Sequence, residues 1–274
     1  MPDAHLPGVV CRPARADDVP AIFALKREAF GNVSLPYTIY QAEQSCEFFR
    51  SRITKDTVVV ATAGSVIAGY YHALDIGEAF FLNYIATSPV SRGRGIGSLL
   101  LSHFVTTGRA LGHSALQLDV FANNRAGVLW YSGAGFEAIR ESYLYRVRLA
   151  DLAERDGLLT VDSELLQGAL AEEQRQGFSK VLCKLGAEPI MLGIIAGHTC
   201  KWLAPGHPCD RAAAAAVARL FPGRSFLIVQ SSTPPGQSLP IAGIDLSIRM
   251  QKLLAPETGR STDPKATHQV KTSR

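Results

Sequence analysis

The sequence predicts a mixed α/β fold organised as two units, and three observations carry that expectation. Short β-branched runs alternate with segments whose apolar residues recur at helical spacing. One stretch, Tyr84-Ile85-Ala86-Thr87-Ser88-Pro89-Val90-Ser91-Arg92-Gly93-Arg94-Gly95-Ile96-Gly97-Ser98-Leu99-Leu100-Leu101, reads in succession as an apolar strand, a glycine-rich turn and an amphipathic helix. Finally, the 274 residues are 47% hydrophobic and 19% charged, enough for a substantial core in one large domain or two ordinary ones.

Taken in order, residues 9–12 form a short strand, and Asp17 or Asp18 caps the helix that follows. That helix carries Val19, Ile22, Phe23 and Ala29 on one face. Turn formers and aromatics at 31–37 precede a second helix over 39–53. Two β-branched runs, 57–62 and 66–73, flank Ala63-Gly64-Ser65 as a tight hairpin. The strand 80–87 feeds the glycine turn, and the helix beyond it runs over 96–111 to stop at Gly112, a suitable C′ residue. A strand at 114–121, a helix at 124–132 and one or two antiparallel strands over 135–148, broken near Glu141, complete a unit spanning 8–149.

The second half is sparser. It reads as a helix at 158–176, strands at 178–184 and 189–197, an alanine-rich helix at 208–221 with Asp210 near its start, and a strand at 225–231. Thr233-Pro234-Pro235-Gly236 is a turn or linker, and 239–250 is a last strand, or a strand and a short helix. A C-terminal α/β domain is therefore expected at 157–255. Residues 256–274, polar and aperiodic, read as a disordered tail.

Composition removes several function classes. A net charge of +4 is too mild to argue for nucleic acid, which calls for a clustered basic face. No run approaches the roughly 18 apolar residues of a membrane helix. Residues 1–8 lack a basic region followed by an apolar core, so no signal peptide is expected. Five scattered cysteines, an odd number, suit reduced thiols in a cytoplasm better than a disulfide framework.

In the turn, Gly93, Gly95 and Gly97 alternate with Arg92, Arg94 and Ile96, so backbone N–H groups can line a concave nest with no Cβ atoms in the way. The helix adds its free N-terminal donors and the positive end of its dipole. An anion, a pyrophosphate above all, fits such a turn. A P-loop would need Lys and Ser/Thr after its last glycine, where this chain has Ser98 and Leu99. The dinucleotide fingerprint G-x-G-x-x-G fails as well, because the run closes one residue early at Gly97.

With those residues in that order of elements, the chain resembles the GNAT family of acyl-CoA-dependent N-acyltransferases over residues 8–149. The family's Arg/Gln-x-x-Gly-x-Gly/Ala signature is matched by Arg92-Gly93-Arg94-Gly95-Ile96-Gly97. A second family segment is matched by Leu118-Asp119-Val120-Phe121-Ala122-Asn123-Asn124-Arg125-Ala126-Gly127-Val128-Leu129-Trp130-Tyr131-Ser132-Gly133-Ala134-Gly135-Phe136. The resemblance implies a mostly antiparallel, splayed sheet flanked by helices, acetyl-CoA as co-substrate, and transfer of its acetyl group to a primary amine of a small molecule or peptide.

It also implies roles. Backbone donors from Gly93 through Gly97 and Ser98 would hold the pyrophosphate, with Arg92 and Arg94 adding charge. Ile85, Ala86 and Thr87 would pair with the pantetheine arm, and the Ile85 amide would stabilise the developing oxyanion. Asn124 would cap its helix and touch the pantetheine. Tyr131 would protonate the departing thiolate; packing under the sheet explains the same residue. Trp130 reads as core.

For the base that deprotonates the amine, Glu78 leads, with Asp75, His72, Tyr84 and Asp119 as alternatives; hairpin-turn and half-buried strand positions account for most of these letters equally well. Tyr37 and Tyr40 fall where a family member shapes its acceptor pocket. In the second half, His198-Thr199-Cys200 and His207-Pro208-Cys209 raise zinc, but their one-residue spacing is shorter than common knuckles use, and no metal is expected. The C-terminal unit is compatible with a degenerate GNAT-like lobe. Two other functions stay open: a non-catalytic CoA-binding sensor or interaction module, and a carrier-protein-dependent acyltransferase. No nucleic acid or membrane partner is expected, and a homodimer is compatible with the sequence.

Overall fold

The computed structural model describes residues 8–152, 159–204 and 206–255. The expected tail at 256–274 lies outside them. In chain order the elements are β1 (Val9–Pro13), α1 (Val19–Ser34), α2 (Ser45–Arg52), β2 (Thr57–Ala63), β3 (Val66–Asp75), β4 (Ala79–Thr87), α3 (Ile96–Ala110), β5 (Ala115–Phe121), α4 (Arg125–Gly133) and β6 (Glu137–Arg148). They continue as β7 (Leu159–Thr160), α5 (Ser163–Gln176), β8 (Phe178–Leu185), β9 (Glu188–Ile195), β10 (Thr199–Trp202), α6 (Arg211–Leu220), β11 (Phe226–Ser231) and β12 (Ile241–Leu253).

Among the described residues the strands form one 12-stranded sheet, ordered β1-β2-β3-β4-β5-β12-β6-β11-β10-β9-β8-β7. Pairing is antiparallel except for β4 with β5 and β10 with β11, the two pairs joined through a crossover helix. Read inward from both edges the order repeats itself: edge strand, hairpin, and a parallel pair connected by α3 or α6. The last strand of each half is exchanged. β6 pairs with β11 of the second half, and β12 pairs with β5 of the first.

The first half is covered on both faces, as its near-continuous apolar strands require. Val58, Val60 and Tyr70 pack under α1 and α2 with Ile22, Phe23 and Phe49. Their neighbours Val59, Ala61 and Tyr71 point the other way, onto Leu100 and Phe104 of α3. In the second half α5 and α6 share one face, over Val181, Ile190, Leu192, Cys200 and Val229. A smaller cluster of Tyr37, Phe178, Ile195 and Ile228 joins the halves. There Gly177, left-handed at φ +74°, closes α5 so tightly on α2 that a Cβ would lie 2.5 Å from Ser45 Oγ.

Several expectations need correction. Residues 39–44 are not helical; α2 starts only at Ser45, because the chain first makes a 3-10 turn at Leu35–Tyr37 after Gly31 leaves helical geometry at φ +49°. Asp18 caps by another route: its carboxylate accepts from the Arg15 backbone N–H at 2.7 Å and pairs with Arg12. There is no break near Glu141. β6 is continuous, and Ile139 is instead extra in its register against β12, between Ala138 and Arg140. β12 is a single strand, and residues 199–202 form β10, in a stretch to which the sequence reading assigned no element.

Candidate active site

After β4 the chain makes a 3-10 turn at Pro89–Ser91 and enters the glycine run. Gly93 and Gly95 sit at φ +71° and +80°, a region open to glycine without strain. Gly95 is the N-cap of α3, and no side chain caps that end. The donors of the first turn of α3 are thus left unclaimed by any capping side chain. A cavity of about 380 Å³ opens over them, lined by Ile85, Ala86, Thr87, Ser91, Arg92, Gly93, Gly95, Ile96, Gly97, Ser98 and Trp130. Trp130, expected in the core, is half-buried and walls this cavity; a Cβ on Gly97 would lie 3.5 Å from its ring. Arg94 is exposed and lines no wall of it.

The equivalent turn of the second half is built differently. Asp210 caps α6, its carboxylate accepting from the Ala213 N–H at 2.8 Å. A negative charge occupies the place where α3 offers bare donors, so an anion is disfavoured there.

The sheet splays beside the glycine turn. β4 and β5 pair from Ala79 with Ala115 to Leu82 with Leu118, and no further. Beyond that point β4 stays bonded to β3 through Thr87, while β5 follows β12. The β5-facing edge of residues 83–87 is therefore free for an extended ligand. A second cavity of about 460 Å³ fills the splay and adjoins the first along Ile85, Ala86, Thr87 and Arg92.

Tyr131 and Asn124 both line this second cavity. Asn124 Oδ1 accepts from the Gly127 N–H at 3.0 Å and caps α4. Tyr131 is 8% exposed against Phe136 and Trp130, and burial holds its phenol well above the usual range. It stays protonated at neutral pH.

The base candidates separate. Tyr84 and Asp119 line the cavity; His72, Asp75 and Glu78 do not. Glu78 is exposed in the turn that opens β4, at the end of that strand remote from the glycine run. Asp75 makes an Asx turn, accepting from the Gly77 N–H at 2.9 Å. His72 is 1% exposed, 2.9 Å from Asp56, and burial lowers its pKa despite that carboxylate. Burial raises the Tyr84 phenol, which keeps its proton. Asp119 is paired with Arg249 of β12, whose Nη2 donates to it at 2.8 Å.

Tyr37 also reaches this cavity, its phenol pushed up to about 12 by burial and a hydrogen bond to Asp245. Tyr40 lies under it in the α1 core. Sequence reasoning missed the contribution of the second half: Lys201, Gln230 and Ser247 complete the wall, together with Leu144 of the exchanged strand β6. No local signal marks them, because strand exchange alone brings them there. Cys200 and Cys209 are buried in the apolar core, and His198 Nδ1 lies 2.7 Å from Thr199 Oγ1. Among the described residues no three His, Cys, Asp or Glu side chains gather as a metal site.

Comparison with known proteins agrees with this geometry. Residues 19–136 match the acetyltransferase (GNAT) family model. A putative acetyltransferase from Pyrococcus horikoshii superposes with a TM-score of 0.63 at 14% identity, over 93% of this chain and 92% of that one. A tandem GNAT protein from the clavulanic acid biosynthesis pathway gives 0.64 at 12% identity, over 90% and 99%. These likenesses are of fold. No curated protein matches in sequence. The chain carries, across residues 19–136, an acetyltransferase domain of the GNAT family.

Proposed function

We propose that this protein transfers an acetyl group from acetyl-CoA to a primary amine. The observation that carries the reading is the pair of adjoining cavities: an uncapped, left-handed glycine turn opens directly into a splayed sheet edge. The pyrophosphate fits the turn because Gly93 and Gly95 supply donors without Cβ atoms and Arg92 supplies charge. The free edge of Ile85, Ala86 and Thr87 suits an amide-bearing arm, and an N–H of that edge suits the oxyanion. Acetyl-CoA, when bound, supplies the activated thioester.

Tyr131 Oη holds its proton and is suited to deliver it to the departing sulfur, since a thiolate of pKa about 8.5 needs only a weak acid. Asp119, the one carboxylate among the lining residues, is suited to take the amine proton directly or through water. Glu78 has no place in this scheme. Residues 8–149 then form the transferase unit, and 157–255 a degenerate lobe of the same topology that gave up its anion site at Asp210. Five unpaired cysteines favour a reducing compartment such as the cytoplasm.

Gly95→Val tests the donor side. A β-branched residue is strained at φ +80° and distorts the turn. Calorimetry should find acetyl-CoA binding lost in a variant whose circular dichroism matches the parent; undiminished binding refutes the assignment.

A further inference from the structure

The acceptor end of the larger cavity is closed by the second half of the chain, and its charge is unbalanced. Asp119, the lining carboxylate, is already engaged by Arg249. Lys201 lines the same wall with no hydrogen-bond or ion-pair partner among the described residues. Burial lowers its pKa, Asp119 raises it, and Lys180 lowers it further.

The pairing explains why Lys180 is felt. Lys180 and Lys201 both stand opposite Gly193, one on each side, so all three share a face of the sheet. Gly193 keeps the gap between them open: a Cβ there would lie 3.3 Å from Lys201 Cβ and 3.1 Å from Phe178. Lys201 in turn stands opposite Ile228, two residues before Gln230 on the same face of β11. Helices α5 and α6 cover the opposite face; on this one Tyr37 packs against Phe178, Ile195 and Ile228, and the far part of β8 leaves Lys180 and Lys184 exposed. A desolvated ammonium with a like charge beside it, whose nearest carboxylate Asp119 is already engaged by Arg249, is unfavourable until a further anion arrives.

We propose that the acceptor is an amine carrying an anionic group, a carboxylate or a phosphate, which docks on Lys201 and Gln230 of the C-terminal half while its amine faces the splay. Lys201 is a binding residue and sets specificity. The inference rests on the acetyl-transfer reading.

The test measures CoA release from acetyl-CoA with matched acceptors: glycine against glycinamide, β-alanine against its amide, and phosphoethanolamine against ethanolamine. The expected result is a higher kcat/KM for the anionic member, with the pair that shows the larger ratio telling carboxylate from phosphate. Lys201→Met should shrink that ratio roughly 10- to 100-fold with acetyl-CoA affinity unchanged by calorimetry, and Lys201→Arg should restore part of it. A preference for neutral members overturns the proposal. So does a ratio that survives Lys201→Met, or an equal loss on both members, which would make Lys201 a proton carrier. Acetyl-CoA binding without turnover of any amine overturns the transfer reading and this inference with it; absent acetyl-CoA binding fails the donor side instead.

Discussion

Lys26 offers a sharp test of how the α1 side of the domain is held. It lies on α1, is 0% exposed, and its Nζ has no hydrogen-bond partner. It is clasped between the rings of Tyr40 and Tyr84, each 3.4 Å from Nζ to centroid, with Phe49 at 5.1 Å. Taking an ammonium out of water costs several kcal/mol, and each desolvated cation–π contact returns about 2 kcal/mol. Two rings leave a deficit, and burial accordingly drives the Lys26 pKa well below its ordinary value. Lys26→Met keeps the unbranched stem and sets a sulfur against the same rings. The variant should be more stable by about 1–3 kcal/mol at pH 7 in urea unfolding.

The sign of the pH dependence follows from proton counting. The unfolded chain binds the lysine proton up to about pH 10.4, whereas the folded chain has lost it at lower pH. Wild-type stability therefore rises with pH through that window, by as much as about 1.4 kcal/mol per pH unit, and Lys26→Met lacks this rise. The advantage of the variant should shrink from pH 7 to pH 10. A variant less stable than the parent, by a margin constant across that range, would refute the argument and leave Lys26 a charged, net-favourable clasp.

Two more expectations concern the site. Tyr131→Phe should lower kcat by about 100-fold or more with acetyl-CoA affinity kept, and the raised phenol means that wild-type kcat should hold through pH 10; an earlier fall traced to Tyr131 would remove it as the acid. Gly69→Ala should both destabilise the fold by about 1–3 kcal/mol and weaken acetyl-CoA binding. The added Cβ would meet Ala86 O at 2.8 Å and Leu100 Cδ1 at 2.9 Å, so β4 or α3 must shift where the two flank the cavity proposed for acetyl-CoA. Urea unfolding and calorimetry read the two effects, and normal binding in a destabilised variant would show that the strain is absorbed elsewhere.

The elements of the proposed donor side were legible in the residues because they are local. Strand, glycine turn and helix follow one another within residues 79–110, and each part is set by local rules: a short apolar run, left-handed glycines, a bare helix start. Asn124 and Tyr131 lie on one short helix for the same reason. Base candidates were not separable, since His72, Asp75, Glu78 and Asp119 all sit on or beside strands and differ only in which face and which end they occupy. Register decides that, and a one-residue shift reverses it.

The acceptor side was decided by tertiary structure alone. Lys201 and Gln230 reach the cavity because β12 is inserted between β5 and β6, which brings β11 and β10 against the splay. Arg249 pairs with Asp119 across the same exchange, 130 residues apart in the chain. The residues by themselves determined a glycine turn at Arg92–Gly97 with the bare donors our proposal gives to an anion, a helix carrying Tyr131, and two stretches of alternating strands and helices. Which strand pairs with which, and so which charges face the substrate, depends on contacts between distant segments that no local periodicity encodes.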